Sequence, residues 1–167
     1  MLCRRRKADQ SAMPDTHPSS STEDEIPPAR LTATSDTRLM WPFTLFHASN
    51  VLLQSDFYWW NAGTFAPATL RLEISGTPAR LTRIALQTEM EPATARVRHE
   101  IRVGLSREAM RTVNWFEEVV ASKDWIVLSL FEDDDGHRRR RVRFIEVVTH
   151  TSPSYVAWRR IRVWKAV

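Results

Sequence analysis

Chemistry in this chain would have to come from a few charged and aromatic runs. The densest is acidic: Glu132, Asp133, Asp134 and Asp135, followed beyond Gly136 and His137 by Arg138, Arg139, Arg140, Arg141 and Arg143. Carboxylate oxygens suit hard cations such as calcium. Asp133 and Asp135 are the metal candidates, but "FEDDDGHRRRR" lacks the acid and amide spacing of an EF-hand loop. The plainer reading is a charged hairpin turn whose acids face the arginines. Those arginines could grip phosphates or an acidic groove. Strand alternation would divide them, with Arg139, Arg141 and Arg143 on one face as a basic patch and Arg138 and Arg140 on the other.

The remaining chemical residues do not converge. The histidines, His17, His47, His99, His137 and His150, show no HxxH spacing, and Cys3 is the lone cysteine. Zinc would need about three or four converging ligands. His99 falls in line with apolar residues, where a hydrogen-bonded structural role is expected. No GxSxG elbow is present. The glycines, Gly63, Gly76, Gly104 and Gly136, are too scattered for a phosphate loop. The expectation is a protein that is not an enzyme, with no cofactor and no metal.

Aromatics are the plentiful resource. Phe57, Tyr58, Trp59, Trp60 and Phe65 share one turn-rich segment. Loops of a β-sandwich gather at its ends, where ligands are met. Aromatics there anchor protein interfaces or stack on sugars. At least one of Trp59 and Trp60 is expected to plug the sandwich end, and an adjacent pair on a regular strand cannot both point inward. Near the C-terminus, Trp158, Arg160, Arg162 and Trp164 are evenly spaced and would share a face. That face is a docking stripe, unless the N-terminal segment covers it. The interface candidates are therefore Tyr58, Trp59, Trp60, Phe65, Trp158, Arg160, Arg162 and Trp164.

The elements that position these residues read as strands. "ATLRLEIS" alternates Leu70, Leu72 and Ile74 against Arg71 and Glu73, and "RVRHEIRVGLS" alternates Val97, His99, Ile101, Val103 and Leu105 against Arg98, Glu100 and Arg102. "ARLTRIALQTEM" puts Ile84 and Leu86 inward, with an irregularity near Leu81. "KDWIVLSLF" is a further strand, and the stretch from Arg107 to Val120 fits a helical turn or a strand. "RRRRVRFIEVVTH" has apolar residues on both faces and reads as a central strand. "YVAWRRIRVW" closes the series with Ile161 and Val163 inward. About seven or eight strands separated by turn signals predict an all-β, antiparallel sandwich. Its buried set should include Leu72, Ile84, Ile101, Val103, Val127, Phe144 and Ile161.

Composition bounds the rest. The chain has 167 residues and a formal charge of +4, from 24 basic and 20 acidic side chains. Residues 1–40 are rich in Ser, Thr, Pro and Asp and read as a polar low-complexity tail, disordered or extended; residues 41–167 form the domain. No apolar run is long enough for a membrane span. A basic start without an apolar stretch argues against secretion. The expected address is intracellular: cytoplasm, cilium or nucleus, with the mitochondrial matrix as the minority reading.

The order of these segments resembles that of the discoidin-like, galactose-binding-like jelly rolls. "SDFYWWNAGTFAPATLRLEI" is similar to their Trp-containing loop and first long strand, and "HEIRVGLS", "DWIVLSL" and "VRFIEVVTHTSPSYVAWRRIRVW" to later ones. Two intracellular branches look similar. Tyr58 to Gly63, Arg102 to Gly104, Trp125 to Leu130 and Tyr155 to Val163 resemble the Doc domain of the anaphase-promoting ubiquitin ligase. Trp59, Gly63, Phe65 and Pro67 resemble a motif of the small discoidin-like subunit of ciliary intraflagellar transport. No counterpart of the family's calcium loop is evident. The resemblance implies a non-enzymatic interaction or structural subunit whose partners are proteins of a large intracellular assembly. The alternatives are a carbohydrate-binding module, or a Doc-like substrate-recruiting subunit of a ubiquitin ligase. Nucleic acid is not expected as a partner outside a ribonucleoprotein.

Overall fold

The computed structural model describes residues 22–36, 47–53, 55, 60–62, 66–88, 96–119, 125–130, 141–152 and 156–167. They form two packed antiparallel sheets, with no α-helix among them. In chain order the strands are β1 (Glu23–Glu25), β2 (Leu31–Ser35), β3 (Trp60–Asn61), β4 (Ala68–Ile74), β5 (Ala79–Thr88), β6 (Arg96–Gly104), β7 (Arg111–Val119), β8 (Trp125–Ser129), β9 (Arg141–Val142), β10 (Phe144–Thr151) and β11 (Ala157–Ala166). The six-stranded sheet runs β1-β11-β5-β8, with β3 on β11 and β9 on β5. The five-stranded sheet runs β2-β4-β10-β6-β7. Short 3-10 turns occur at Pro28–Arg30 and Ala48–Leu52.

Period-2 patterning explains how the sheets face each other. Leu70, Leu72 and Ile74 of β4 and Val97, Ile101 and Val103 of β6 point into the sandwich, as do Ile84 and Leu86 of β5 and Ile161 and Val163 of β11. β10 is central, paired with β4 on one side and β6 on the other. It is buried on both faces over Phe144–Thr149, as its two-sided apolar pattern predicts. The ambiguous stretch before Val120 is the strand β7. The irregularity expected near Leu81 is a register shift between β5 and β11, where Trp164 pairs with Arg83 and Lys165 with Leu81. Gly76 turns β4 into β5 at φ 78°, a left-handed conformation that a side chain disfavours.

Three expectations change. Val127 is 42% exposed, because Ile126 and Leu128 take the inward parity of β8. In an all-apolar "WIVL" the pattern alone does not choose between the parities. Leu105 is exposed because β6 ends at Gly104, one residue before it. The stretch read as a tail contributes two strands. β2 pairs with β4 and buries Leu31 and Ala33, β1 pairs with the end of β11, and Ile26 between them is buried. The sandwich therefore begins ahead of residue 40. Residues 1–21 and 37–46 lie outside the described set.

Candidate functional site

β6 presents Arg98, Glu100 and Arg102 to the outer face of the five-stranded sheet, since Val97, His99, Ile101 and Val103 take the core side. Across the ladders, Glu100 pairs with Trp115 of β7 and with Val148 of β10. His150, two residues beyond Val148, shares that face. Register thus gathers Arg98, Glu100, Arg102, Trp115 and His150 in one patch. None of these was a candidate at the level of sequence, where only an outward-facing parity signalled them.

Glu100 lies at the bottom of the patch. It is on an outer face yet only 2% exposed. Its carboxylate accepts from Arg102 Nη2 at 2.7 Å and from Thr112 Oγ1, and His150 Nε2 lies 2.7 Å away. The Arg102 guanidinium first, then the Thr112 and His150 bonds, hold its carboxyl at about 2, against the opposing effect of burial. Arg102 is raised in turn, chiefly by its bond to Glu100. An ionised carboxylate can only accept, so His150 must donate through Nε2. In the neutral imidazole this leaves Nδ1 as an acceptor.

Above this base stands Trp115, 46% exposed. Its ring centroid is 5.0 Å from that of His150, with 30° between planes. The Arg98 guanidinium lies 4.4 Å from the ring centroid. The patch thus offers an apolar ring edged by donors and an acceptor. Beside it, Arg71 bonds Glu146 at 2.7 Å and Asp36 at 3.3 Å, and Arg96 bonds Glu117 at 3.3 Å.

The outer face of the six-stranded sheet carries part of the expected docking stripe. Arg83 packs 4.3 Å from the Trp164 ring centroid, and Arg162 lies 5.2 Å from that of Trp125. Acids from β1 sit against the same arginines, Glu23 at 3.1 Å from Arg83 and Glu25 at 3.7 Å from Arg162. Cover from the N-terminal segment, the alternative considered for this stripe, is therefore realised at its Trp164 end.

Trp158 leaves the stripe. A bulge puts two residues of β11 against one of β5, so that Trp158 faces Thr88 and Arg160 faces Gln87. The extra residue inverts the parity, and Trp158 is fully buried beside His99, with ring centroids 4.9 Å apart. Trp60 is also fully buried and plugs the core, which removes it from the interface set. Tyr58, Trp59 and Phe65 lie outside the described residues, as do Asp133, Asp135 and Arg139. The basic patch does not survive as a unit among the described residues. Arg141 is exposed on β9, whereas Arg143 donates to Gly76 O at 2.8 Å and braces a turn. His99 is the structural histidine expected, bonded to Thr149 Oγ1 at 3.0 Å and stacked on Phe116. Among the described residues no group of acids, histidines and cysteines is placed to hold a metal, and no helix is long and apolar enough to cross a membrane.

No protein-family model matches the chain, and no curated protein does. Solved structures do. A family 32 carbohydrate-binding module of Clostridium perfringens NanJ, in complex with galactose, is similar over 86% of this chain and 99% of its own, at 13% identity and a TM-score of 0.66. An F5/8 type C domain from Bacteroides fragilis is similar over 87% of this chain and 97% of its own, at 11% identity and a TM-score of 0.66. A chitosan-binding module from a Paenibacillus chitosanase/glucanase is similar over 80% of this chain and 94% of its own, at 16% identity and a TM-score of 0.56. At such identities the likeness shows the fold alone. The chain has the discoidin-like, galactose-binding-like jelly-roll fold that these carbohydrate-binding modules share.

Proposed function

We propose that this protein is a non-catalytic carbohydrate-binding module and that Trp115 is its platform. The observation that carries the reading is the half-exposed Trp115 beside His150, Glu100, Arg102 and Arg98 on one sheet face. An indole offers an apolar surface to the C–H face of a sugar ring. Polar groups around it fix hydroxyl orientation. Glu100 is saturated by its own donors and acts as a foundation that orients Arg102 and His150. The sugar-binding modules that share the fold support this reading over the protein-docking one expected from the order of segments.

Isothermal titration of the full chain against a panel of neutral and acidic saccharides, galactose included, tests it. Saturable binding that Trp115→Ala abolishes, with the melting temperature unchanged, supports the site. Binding that survives Trp115→Ala, or none across the panel, sinks it.

A second reading keeps the intracellular assembly subunit, and with it the Doc-like variant. It is favoured by the Trp125 and Arg162 pair on the opposite face, away from the end that β1 covers, since Trp and Arg are the usual anchors of protein interfaces. Co-purification of a stoichiometric partner, lost in Trp125→Ala/Arg162→Ala and kept in Trp115→Ala, would favour it.

A further inference from the structure

We infer that the saccharide taken by the Trp115 face is an acidic one, a sugar bearing a carboxylate, and that Arg98 is the residue that binds that carboxylate. The inference rests on the carbohydrate reading of this face and names its ligand class. It follows from which charges in the patch are already engaged.

Among the described residues, the three carboxylates around Trp115 and its neighbours on β10 have basic partners. Glu100 is bonded to Arg102 and His150, Glu146 to Arg71, and Glu117 to Arg96. None of these three is free to accept from the hydroxyls of a neutral sugar. Of the three arginines on β6, Arg98 is the exception, since Arg96 bonds Glu117 and Arg102 bonds Glu100. It is exposed, and its guanidinium rests on the Trp115 ring with no carboxylate partner among the described residues. Glu117 is its register partner on β7, but the Glu117 carboxylate bonds Arg96 at 3.3 Å.

The position of Arg98 discriminates between ligands. A ring stacking on Trp115 must displace the guanidinium from the indole. A neutral sugar gives nothing ionic in return. A uronic acid offers a planar carboxylate that matches the guanidinium fork with two parallel charge-assisted hydrogen bonds. Arg98 then trades a cation–π contact for an ion pair while its ring partner gains the sugar. His150 Nδ1 remains as an acceptor for a hydroxyl, and Arg102, anchored by Glu100, adds positive potential beneath.

The test uses trimers of galacturonate, mannuronate and glucuronate, each paired with its methyl ester, which keeps the backbone and removes the charge. Calorimetry gives affinity, and amide shifts of Arg98, Trp115 and His150 locate the site. The expected result is binding of at least one uronate at these residues, with its ester weaker by about tenfold or more. Arg98→Gln should bring acid and ester to the same weak affinity, Arg98→Lys should recover part of the gap, and Trp115→Ala should lose both ligands. Arg98 is exposed, so neither substitution should move the melting temperature. Equal binding of acid and ester at Trp115 would overturn this inference and leave the carbohydrate reading standing. No shift at these residues with any uronate, ester or neutral sugar would overturn both.

Discussion

On the outer face of the five-stranded sheet the acid lies lowest. Glu100 sits under Trp115, and cations ride above and beside it. On the outer face of the six-stranded sheet the order is reversed. Arg83 and Arg162 lie on the sheet against Trp164 and Trp125, and the acids arrive from the short strand β1. Both faces use Trp, Arg and Glu, but with opposite consequences. A buried carboxylate with several donors is a fixed support beneath a half-exposed ring. A partly exposed ion pair with a separate strand is a clasp, solvated and weak, that ties β1 to arginines packed on the rings. The position of the charge relative to water is what separates the two faces.

The largest effects should come from what lies beneath both faces. Ile101 is fully buried one residue from Glu100, on the core side of β6. Ile101→Ala should cost about 2–5 kcal/mol in denaturant unfolding. A loss below about 1 kcal/mol would mean that the two faces do not share a tight core.

Glu100→Ala comes next. It removes charge-assisted bonds and leaves Arg102 without its carboxylate, a loss of about 1.5–3 kcal/mol. The cost stays below that of breaking a fully buried pair, because the Arg102 side chain is 38% exposed and can rehydrate. Its pH dependence sharpens the point. A carboxyl lowered from 4.5 to about 2 stabilises the fold fully above the higher value, and that contribution fades as pH falls toward the lower one. The stability gap between the protein and Glu100→Gln should therefore shrink between those two pH values and be flat above them. A constant gap would show that folding does not shift the Glu100 carboxyl from its ordinary value.

The clasp should matter less. Glu23 and Glu25 hold partly exposed arginines, so Glu23→Gln/Glu25→Gln should cost no more than about 1 kcal/mol. Raising salt toward about 1 M should erase that difference while leaving the Glu100 effect largely in place. Equal salt sensitivity would break the contrast between the faces. Smallest of all, Val127→Ala on the outer face of β8 should change stability by about 0.5 kcal/mol or less. A loss comparable to that of Ile101→Ala would show the face to be covered.

Much of the fold was legible because alternation reports burial directly. The runs at Leu70–Ile74 and Val97–Val103 and the two-sided pattern of β10 each predict their place. The strands from Glu23–Glu25 and Leu31–Ser35 were not legible, because "EDE" and "LTATS" look like tail when read alone. They gain their apolar and ionic partners only from β11, β5 and β4. The candidate site was less legible still. Glu100 and Arg102 looked like ordinary outward residues, and Trp115 and His150 lie on other strands.

The sequence by itself determined that the chain would bury alternating apolar faces in an antiparallel sandwich, since strand period and side-chain chemistry are local properties. It also determined that the chain would be rich in Trp and Arg for contact. Tertiary structure decided which of those residues face water. A single bulge in β11 sends Trp158 inward and leaves Arg162 and Trp164 on the outer face, and strand register alone brings Trp115 and His150 over Glu100. Parity and register depend on partners distant in the chain, so the candidate site emerges only when the strands pair.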